Sequence, residues 1–400
     1  MKYFLPLDEK YFTFIKREMA ATEDSLEQFL DKLEKEFAPS LEEYRECPSE
    51  IVLGKEIGKG KYGRVYSGKY NNKDVAIKVL DLSDEAFSRE SRQIKQEALI
   101  SKYLTLECDD AQVCPIIPIH DVFLCNSDDM LRSYIVMGLS RGYDLRQLIT
   151  KRHEDSWYNI RYDSITRRNI GLYENFDGRF IMNLKITILL ITGLMYLHDK
   201  HVYHQDIKLD NILIDLSSPN NVIKYIDFGL SCIYLNDTSL SESIKEKYKE
   251  LNCLSMKGVR GTPNFIHPYA FILSKKLKEG TPVSDKLRRK LSKITDCYSL
   301  GVVLYMLWTG SFNFLNVKTV SGIRKMASVY AREIKDREGV DLYMDILGYR
   351  PDVMKLTDGK ISEYKEVMEI INEMTTFSLT LPKMDNILNR LQNMLDRSNK

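Results

Sequence analysis

From Ile51 the chain alternates apolar and polar positions in short runs, IVLGKEIG (51–58), GRVYSGKY (63–70) and KDVAIKVL (73–80), joined by Gly- and Asn-containing turns. Period-two alternation of this length predicts β-strands. A helical pattern follows over 84–104, then strand-like segments at 116–123 (IIPIHDVF) and 134–139 (YIVMGL). After about residue 140 the spacing turns mainly helical, most strongly over 181–200, 294–309 and roughly 361–397. The pattern predicts an α+β chain with a β-rich small lobe over 51–138 and a mainly helical large lobe over 139–400. Ahead of them, SLEQFLDKLEKEF (25–37) sets leucine and phenylalanine at helical spacing among acidic residues, so 1–50 reads as a helical extension packed on the body. A regulatory or docking segment is the second reading.

Composition narrows this picture only a little. Four hundred residues exceed what one compact core usually holds, which agrees with two packed halves. A hydrophobic fraction of 44% and a charged fraction of 29% are ordinary for a soluble folded chain. The net charge of +1 gives no reason to require nucleic acid as a partner. Charge is uneven: residues 1–50 carry 7 basic and 13 acidic side chains, leaving 51 and 44 for the remainder. Seven cysteines without a CxxC pair read as free thiols in a reducing compartment. The start lacks a secretion pattern, and the apolar runs 186–197 and 298–308 are too short to span a bilayer. The expectation is an intracellular, cytoplasmic chain with no membrane span. The cluster Lys286-Leu287-Arg288-Arg289-Lys290 reads as a solvated helix face, with a nuclear address as the second reading. No pattern speaks to oligomeric state.

The first chemical signal is Gly58-Lys59-Gly60-Lys61-Tyr62-Gly63-Arg64-Val65 between two strand patterns. Glycines there let backbone N–H groups approach phosphate oxygens. Alone, the spacing also fits a dinucleotide-binding turn or a plain tight turn. In a dinucleotide unit, however, the glycines open a helix. Here they lead into a strand, and Lys78 follows 15 residues after Gly63 in Val75-Ala76-Ile77-Lys78. This order resembles the eukaryotic-type Ser/Thr protein kinase family, whose motif set includes G-x-G-x-x-G-x-V and V-A-I-K. The resemblance implies a bilobal protein-kinase-like fold that binds ATP and Mg2+, with Gly58, Gly60, Gly63, Val65 and Ala76 around the nucleotide. Lys78 would hold the α- and β-phosphates. Glu97, 19 residues further on, is preferred over Glu90 as the helix carboxylate that fixes that lysine.

The strongest match is His204-Gln205-Asp206-Ile207-Lys208-Leu209-Asp210-Asn211, followed 16 residues later by Asp227-Phe228-Gly229. By resemblance, Asp206 accepts the acceptor proton, Lys208 neutralises the γ-phosphoryl group, and Asn211 and Asp227 bind magnesium. Lys208 and Thr262 in Arg260-Gly261-Thr262-Pro263 imply serine or threonine acceptors on protein substrates. Asp296 would hold the catalytic-loop backbone. YIVMGL (134–139) resembles the strand running into the hinge, so Met137 would be the gatekeeper, backbone groups of Gly138 and Leu139 would pair with adenine, and Asp144 would reach the ribose.

The likeness covers about 51–310 and breaks in places. Gln205 replaces the arginine that pairs with a phosphorylated activation loop, so the expectation is activity without loop phosphorylation. His267-Pro268-Tyr269 replaces A-P-E, with Tyr269 expected to fill the space of the missing ion pair. Residues 151–180 and 231–258 read as insertions. Two other readings compete: a nucleotide-binding pseudokinase scaffold, which should lack a catalytic group, and a small-molecule kinase, which should lack Lys208 and the Gly-Thr-Pro segment.

Overall fold

A computed structural model describes residues 44–45, 50–59, 63–81, 87–106, 114–127, 130–140, 142–154, 159–163, 168–172, 176–215, 223–235, 249, 251–255, 258, 260–312, 314, 361–376 and 379–398. The helical extension expected over 1–50 lies almost wholly outside them. Five strands form an antiparallel sheet: β2 (Ile51–Lys59), β3 (Arg64–Tyr70), β4 (Lys73–Asp81), β5 (Ile119–Ser127) and β6 (Met130–Gly138). The short β1 (Tyr44–Arg45) joins parallel to β5, giving the order β1-β5-β6-β4-β3-β2.

Because side chains alternate across a strand, β4 divides its residues between two jobs. Val75 and Ile77 point to one face and pack with Phe123, Tyr134 and Val136. Ala76, Lys78 and Leu80 point to the other. On that face, helix α1 (Phe87–Leu106) buries Ile94, Ala98 and Leu99 in the same core cluster as Leu80, Val122 and Ile135. Lys78 is thereby aimed at a helix.

Beyond β6, β7 (Tyr143–Asp144) leads into α2 (Leu145–Glu154). The stretch 151–180, read from the sequence as an insertion, contains an antiparallel hairpin, β8 (Asn159–Asp163) with β9 (Arg168–Leu172). The helical lobe is organised on α3 (Phe176–Asp199), which is buried along most of its length. Its stretch Phe180–Asp199 is long and apolar enough to cross a membrane by length and composition, although no single apolar run in the sequence is. Its place at the centre of a packed lobe accounts for that character. Trp308 closes the far side: its indole stacks edge-on against Phe180 at 5.3 Å and donates to the Thr187 hydroxyl at 2.9 Å.

Helix α5 (Asp285–Thr309) begins at Ser284, whose hydroxyl accepts the Leu287 N–H, and ends at left-handed Gly310. It starts well before the periodic stretch at 294–309 and takes in the basic cluster. The pattern read as one helical stretch over 361–397 is two helices, α6 (Ile361–Thr375) and α7 (Met384–Ser398). Pro382 lies in the break, where its ring and missing N–H interrupt a helix interior.

The free-thiol expectation is corrected. Cys232, on the short strand Cys232–Ile233, is disulfide-bonded to Cys253 across 21 residues, and Cys114 and Cys125 are also disulfide-bonded. Chain pairing brings Cys232 and Cys253 together: the Ile233 N–H donates to Leu251 O at 2.9 Å, beside a bridge between Ile233 and Asn252. Among the described cysteines, only buried Cys297 is free.

Candidate active site

Lys78 Nζ lies 2.7 Å from Glu97 Oε2 and 2.9 Å from Oε1, and 3.6 Å from Asp227 Oδ1. Burial works against the charged lysine, yet the two carboxylates outweigh it and hold its pKa above the ordinary lysine value. Burial pushes the Glu97 carboxyl up, and Lys78 pulls it back only in part. At Asp227 the Lys78 ammonium dominates over burial and holds the carboxyl below its usual range, with His204 and Lys208 adding to the effect. The lysine is thus a rigid charge shared by both lobes. Beside it, the buried Gln96 amide donates to Ser231 O, tying α1 to the chain just past Gly229. Nothing in the helical pattern singles out Gln96.

Asp206 sits in a closed network. Thr262 Oγ1 donates to its Oδ1 at 2.8 Å, and Lys208 Nζ reaches its Oδ2 at 2.8 Å. The Asn211 amide donates to the Asp206 backbone carbonyl at 2.8 Å and to Oδ2 at 3.1 Å. The loop carrying Asp206 hangs on Asp296, whose fully buried carboxylate accepts the His204 and Gln205 N–H groups, each at 2.8 Å. Two residues here hold left-handed backbone, Gln205 at φ 63° and Asp227 at φ 66°. Such conformations cost non-glycine residues about 1–2 kcal/mol and persist where the surroundings over-determine them. Gly261, at φ +100°, lets the Thr262 segment approach closely: a Cβ there would meet Gln205 O at 2.4 Å.

On the strand side, Val65 pairs with Gly58 on β2 and with Lys78 on β4, while Ala76 pairs with Met137. Four of the expected nucleotide-side residues therefore lie on adjacent strands around the lysine. A Cβ on Gly63 would lie 2.5 Å from Val79 O, so strand packing demands glycine there. A Cβ on Gly58 would meet only Val65, at 3.6 Å, so the fold itself does not require a glycine at that position. Gly60 lies outside the described residues. Gly138 donates its N–H to Pro118 O at 2.9 Å at the end of β6, and Leu139 follows it, half-buried. Asp144 has a second occupation. Its Oδ1 accepts the Gln147 N–H at 2.7 Å while Gln147 Oε1 accepts the Asp144 N–H at 3.4 Å, a reciprocal cap on α2. Next to it, Arg146 grips Asp210 with two bonds, at 2.7 and 2.9 Å, bracing the loop that presents Asn211.

Among the described residues no three His, Cys, Asp or Glu side chains gather into a complete metal cage. Asn211 and Asp227 offer an amide oxygen and a carboxylate, a sparse donor set of the kind that suits magnesium, which keeps water and phosphate oxygens as its other ligands. The residues present fit that ion.

A family profile described as the protein kinase domain matches residues 51–376. The chain belongs to the protein kinase family. A family kinase fold, with a sheet lobe and a helical lobe, is what the coordinates display. Similar proteins include CBL-interacting protein kinase 3 of Oryza sativa subsp. japonica, 26% identical over 286 residues, 71% of this chain and 50% of that protein. CBL-interacting serine/threonine-protein kinase 1 of Arabidopsis thaliana is 27% identical over 266 residues, covering 66% and 45% of the two chains. The human testis-specific serine/threonine-protein kinase 4 is 26% identical over 278 residues, covering 68% and 69%. This kinase chain spans about half the length of the plant relatives it matches.

The replaced A-P-E segment is also corrected. His267, not Tyr269, is the buried residue: it is fully enclosed, packs edge-on to Tyr298 at 5.2 Å, and bonds the Thr376 carbonyl at 3.2 Å. Burial depresses its pKa to about 4. Tyr269 is half-buried.

Proposed function

We propose that the chain transfers the γ-phosphoryl group of ATP to serine or threonine hydroxyls of protein substrates. The observation that carries this reading is the three-way lock on Asp206: Thr262 bonds one carboxylate oxygen, and Lys208 and Asn211 bond the other. A carboxylate so fixed is suited to orient an acceptor hydroxyl in line and take its proton. Lys208, two residues along the same loop, supplies positive charge where the transferred group carries negative charge. Lys78, pinned by Glu97, positions the α- and β-phosphates from the other lobe, and Gly58, Gly60 and Gly63 would let backbone N–H groups approach them. Val65, Ala76 and Met137 form an apolar patch for the base, with Gly138 and Leu139 offering backbone groups to its edge. Asp144 reaches the ribose only through whatever bonding capacity its cap on α2 leaves.

Asn211 and Asp227 would hold magnesium, which when bound neutralises phosphate charge and orients the leaving oxygens. A scaffold that had abandoned transfer would have no use for Lys78, Asp206, Lys208, Asn211 and Asp227 together. Incubating the chain with radiolabelled ATP, magnesium and casein or a basic protein tests the reading. Label should appear on serine or threonine and disappear with Asp206→Asn. Label that persists undiminished in the Asp206→Asn protein, or none with the parent chain, removes the proposal.

A further inference from the structure

The basic cluster at 286–290, expected as a solvated face, does something else. Only Lys286 stays exposed in the way that reading requires. Arg289 lies over the Tyr234 ring, 4.5 Å from its centroid, and reaches the Tyr203 hydroxyl at 3.3 Å. Arg288 turns under the activation segment and donates from Nη1 to Leu254 O at 2.6 Å. Its Nε is buried and has no hydrogen-bond partner among the described residues. A buried donor without an acceptor is costly, and a guanidinium is built to recover that cost by gripping a planar or tetrahedral anion with two bonds.

Arg288 borders a pocket that also takes in Arg260, Gln205 and Ser292, with Leu273 and Leu277 of α4 (Pro268–Lys278) on the apolar side. No acidic side chain is among the described residues that line it. The pocket touches the reaction centre at two points. Gln205 immediately precedes Asp206, and Arg260 lies two residues before Thr262, whose hydroxyl holds Asp206. Gln205 is neutral where the family has an arginine, and it spends its amide on Ser292 O and Asp296. Arg288 and Arg260 both border the cavity, and Arg260 also donates from Nη1 to Leu230 O at 3.5 Å.

We infer that this pocket reads an acidic side chain of the protein substrate, a carboxylate or phosphate close to the acceptor serine or threonine. The aliphatic wall suits the methylenes of a glutamate, and the guanidinium groups suit its charged end. This rests on the Ser/Thr-kinase reading and narrows its substrate class.

The test is a peptide panel built on one serine acceptor: a neutral parent, and versions with glutamate or phosphoserine at each of the neighbouring positions. At least one acidic placement should raise kcat/KM about tenfold or more over the parent, mainly through KM, as expected for a charge-assisted pair. Arg288→Gln and Arg260→Gln should each pull that ratio toward one, Arg288→Lys should retain part of it, and Lys286→Gln should leave it at the parent enzyme's value. Thermal melts establish which variants fold, and the panel on the unaltered chain stands on its own if one does not. A ratio near one for every placement, or a folded Arg288→Gln enzyme that keeps the full ratio, overturns the pocket's role while leaving the kinase reading intact. No transfer to any peptide strikes down both. Running the panel before and after phosphatase treatment separates the two sources of anion. A preference that persists supports the substrate. Loss of activity on neutral and acidic peptides alike assigns the pocket to a phosphate carried by the enzyme and overturns the inference.

Discussion

The Thr262 hydroxyl donates to Asp206 Oδ1 at 2.8 Å, across 56 residues of sequence. It fixes one oxygen of the proposed base while Lys208 fixes the other. Thr262→Val should lower kcat about tenfold or more, the worth of a charge-assisted hydrogen bond, with little change in the KM for ATP. Thr262→Ser should restore most of the loss. Steady-state kinetics on a serine peptide check both, and an unimpaired valine variant would remove Thr262 from the positioning of Asp206.

The Lys78–Glu97 pair makes a separate prediction. The lysine side chain is 16% exposed and the glutamate 9%, so neither is free to find a new partner in water. Without Glu97, Lys78 is left to Asp227 alone, 3.6 Å away. Glu97→Gln should displace the ammonium and reduce kcat/KM for ATP by about a hundredfold, the cost of a misplacement of about 1 Å. Nucleotide titrations and initial rates measured on the same preparation decide it.

Gln205 bears on activation. Its side chain is bonded to Ser292 O at 3.0 Å and to Asp296, and it carries no charge with which to hold a phosphate. Active enzyme treated with phosphatase should keep its initial rate. A large fall would show that a phosphate is required after all, held by some other group.

His267 sets an acid limit on stability. Its folded pKa is about 4 because the ring is buried, whereas an unfolded histidine titrates near 6.5. Between those values the unfolded chain binds the extra proton and the folded chain does not, so stability declines as pH falls from about 6.5 to about 4. The contribution reaches about 3 kcal/mol at the lower end, from 1.36 kcal/mol per unit. His198, also depressed by burial, acts in the same direction. Urea unfolding at a series of pH values should show the decline, and His267→Phe should flatten part of it.

The elements legible in the sequence are those whose signal is local. The strands around Lys78 announce themselves by alternation, and Asp206, Asn211 and Asp227 stand in short motifs. What escaped depends on contacts between distant segments. Periodicity identifies a helix at 286–290 but not what packs on it, so Arg288 and Arg289 read as solvated when they lie against the activation segment. Tyr269 reads as the filler of the missing ion pair, yet the side chain that is fully buried is His267, two residues earlier. Gln96 looks like any polar helix residue until Ser231 is brought over it. Asp144, expected at the ribose, caps α2, a contact that its place before the helix alone does not announce.

The Cys232–Cys253 bond turns a stretch of the activation segment into a covalent ring closed 21 residues apart, with one end on the short strand Cys232–Ile233 and the other beside the pocket of Arg288. A single proteolytic cut inside that ring separates nothing. The nicked chain keeps its mass and migrates intact on a non-reducing gel, and splits into two fragments only when a thiol is added. Limited digestion run in both states therefore maps where the ring is open to attack, and a sample that looks whole without reductant can already be broken.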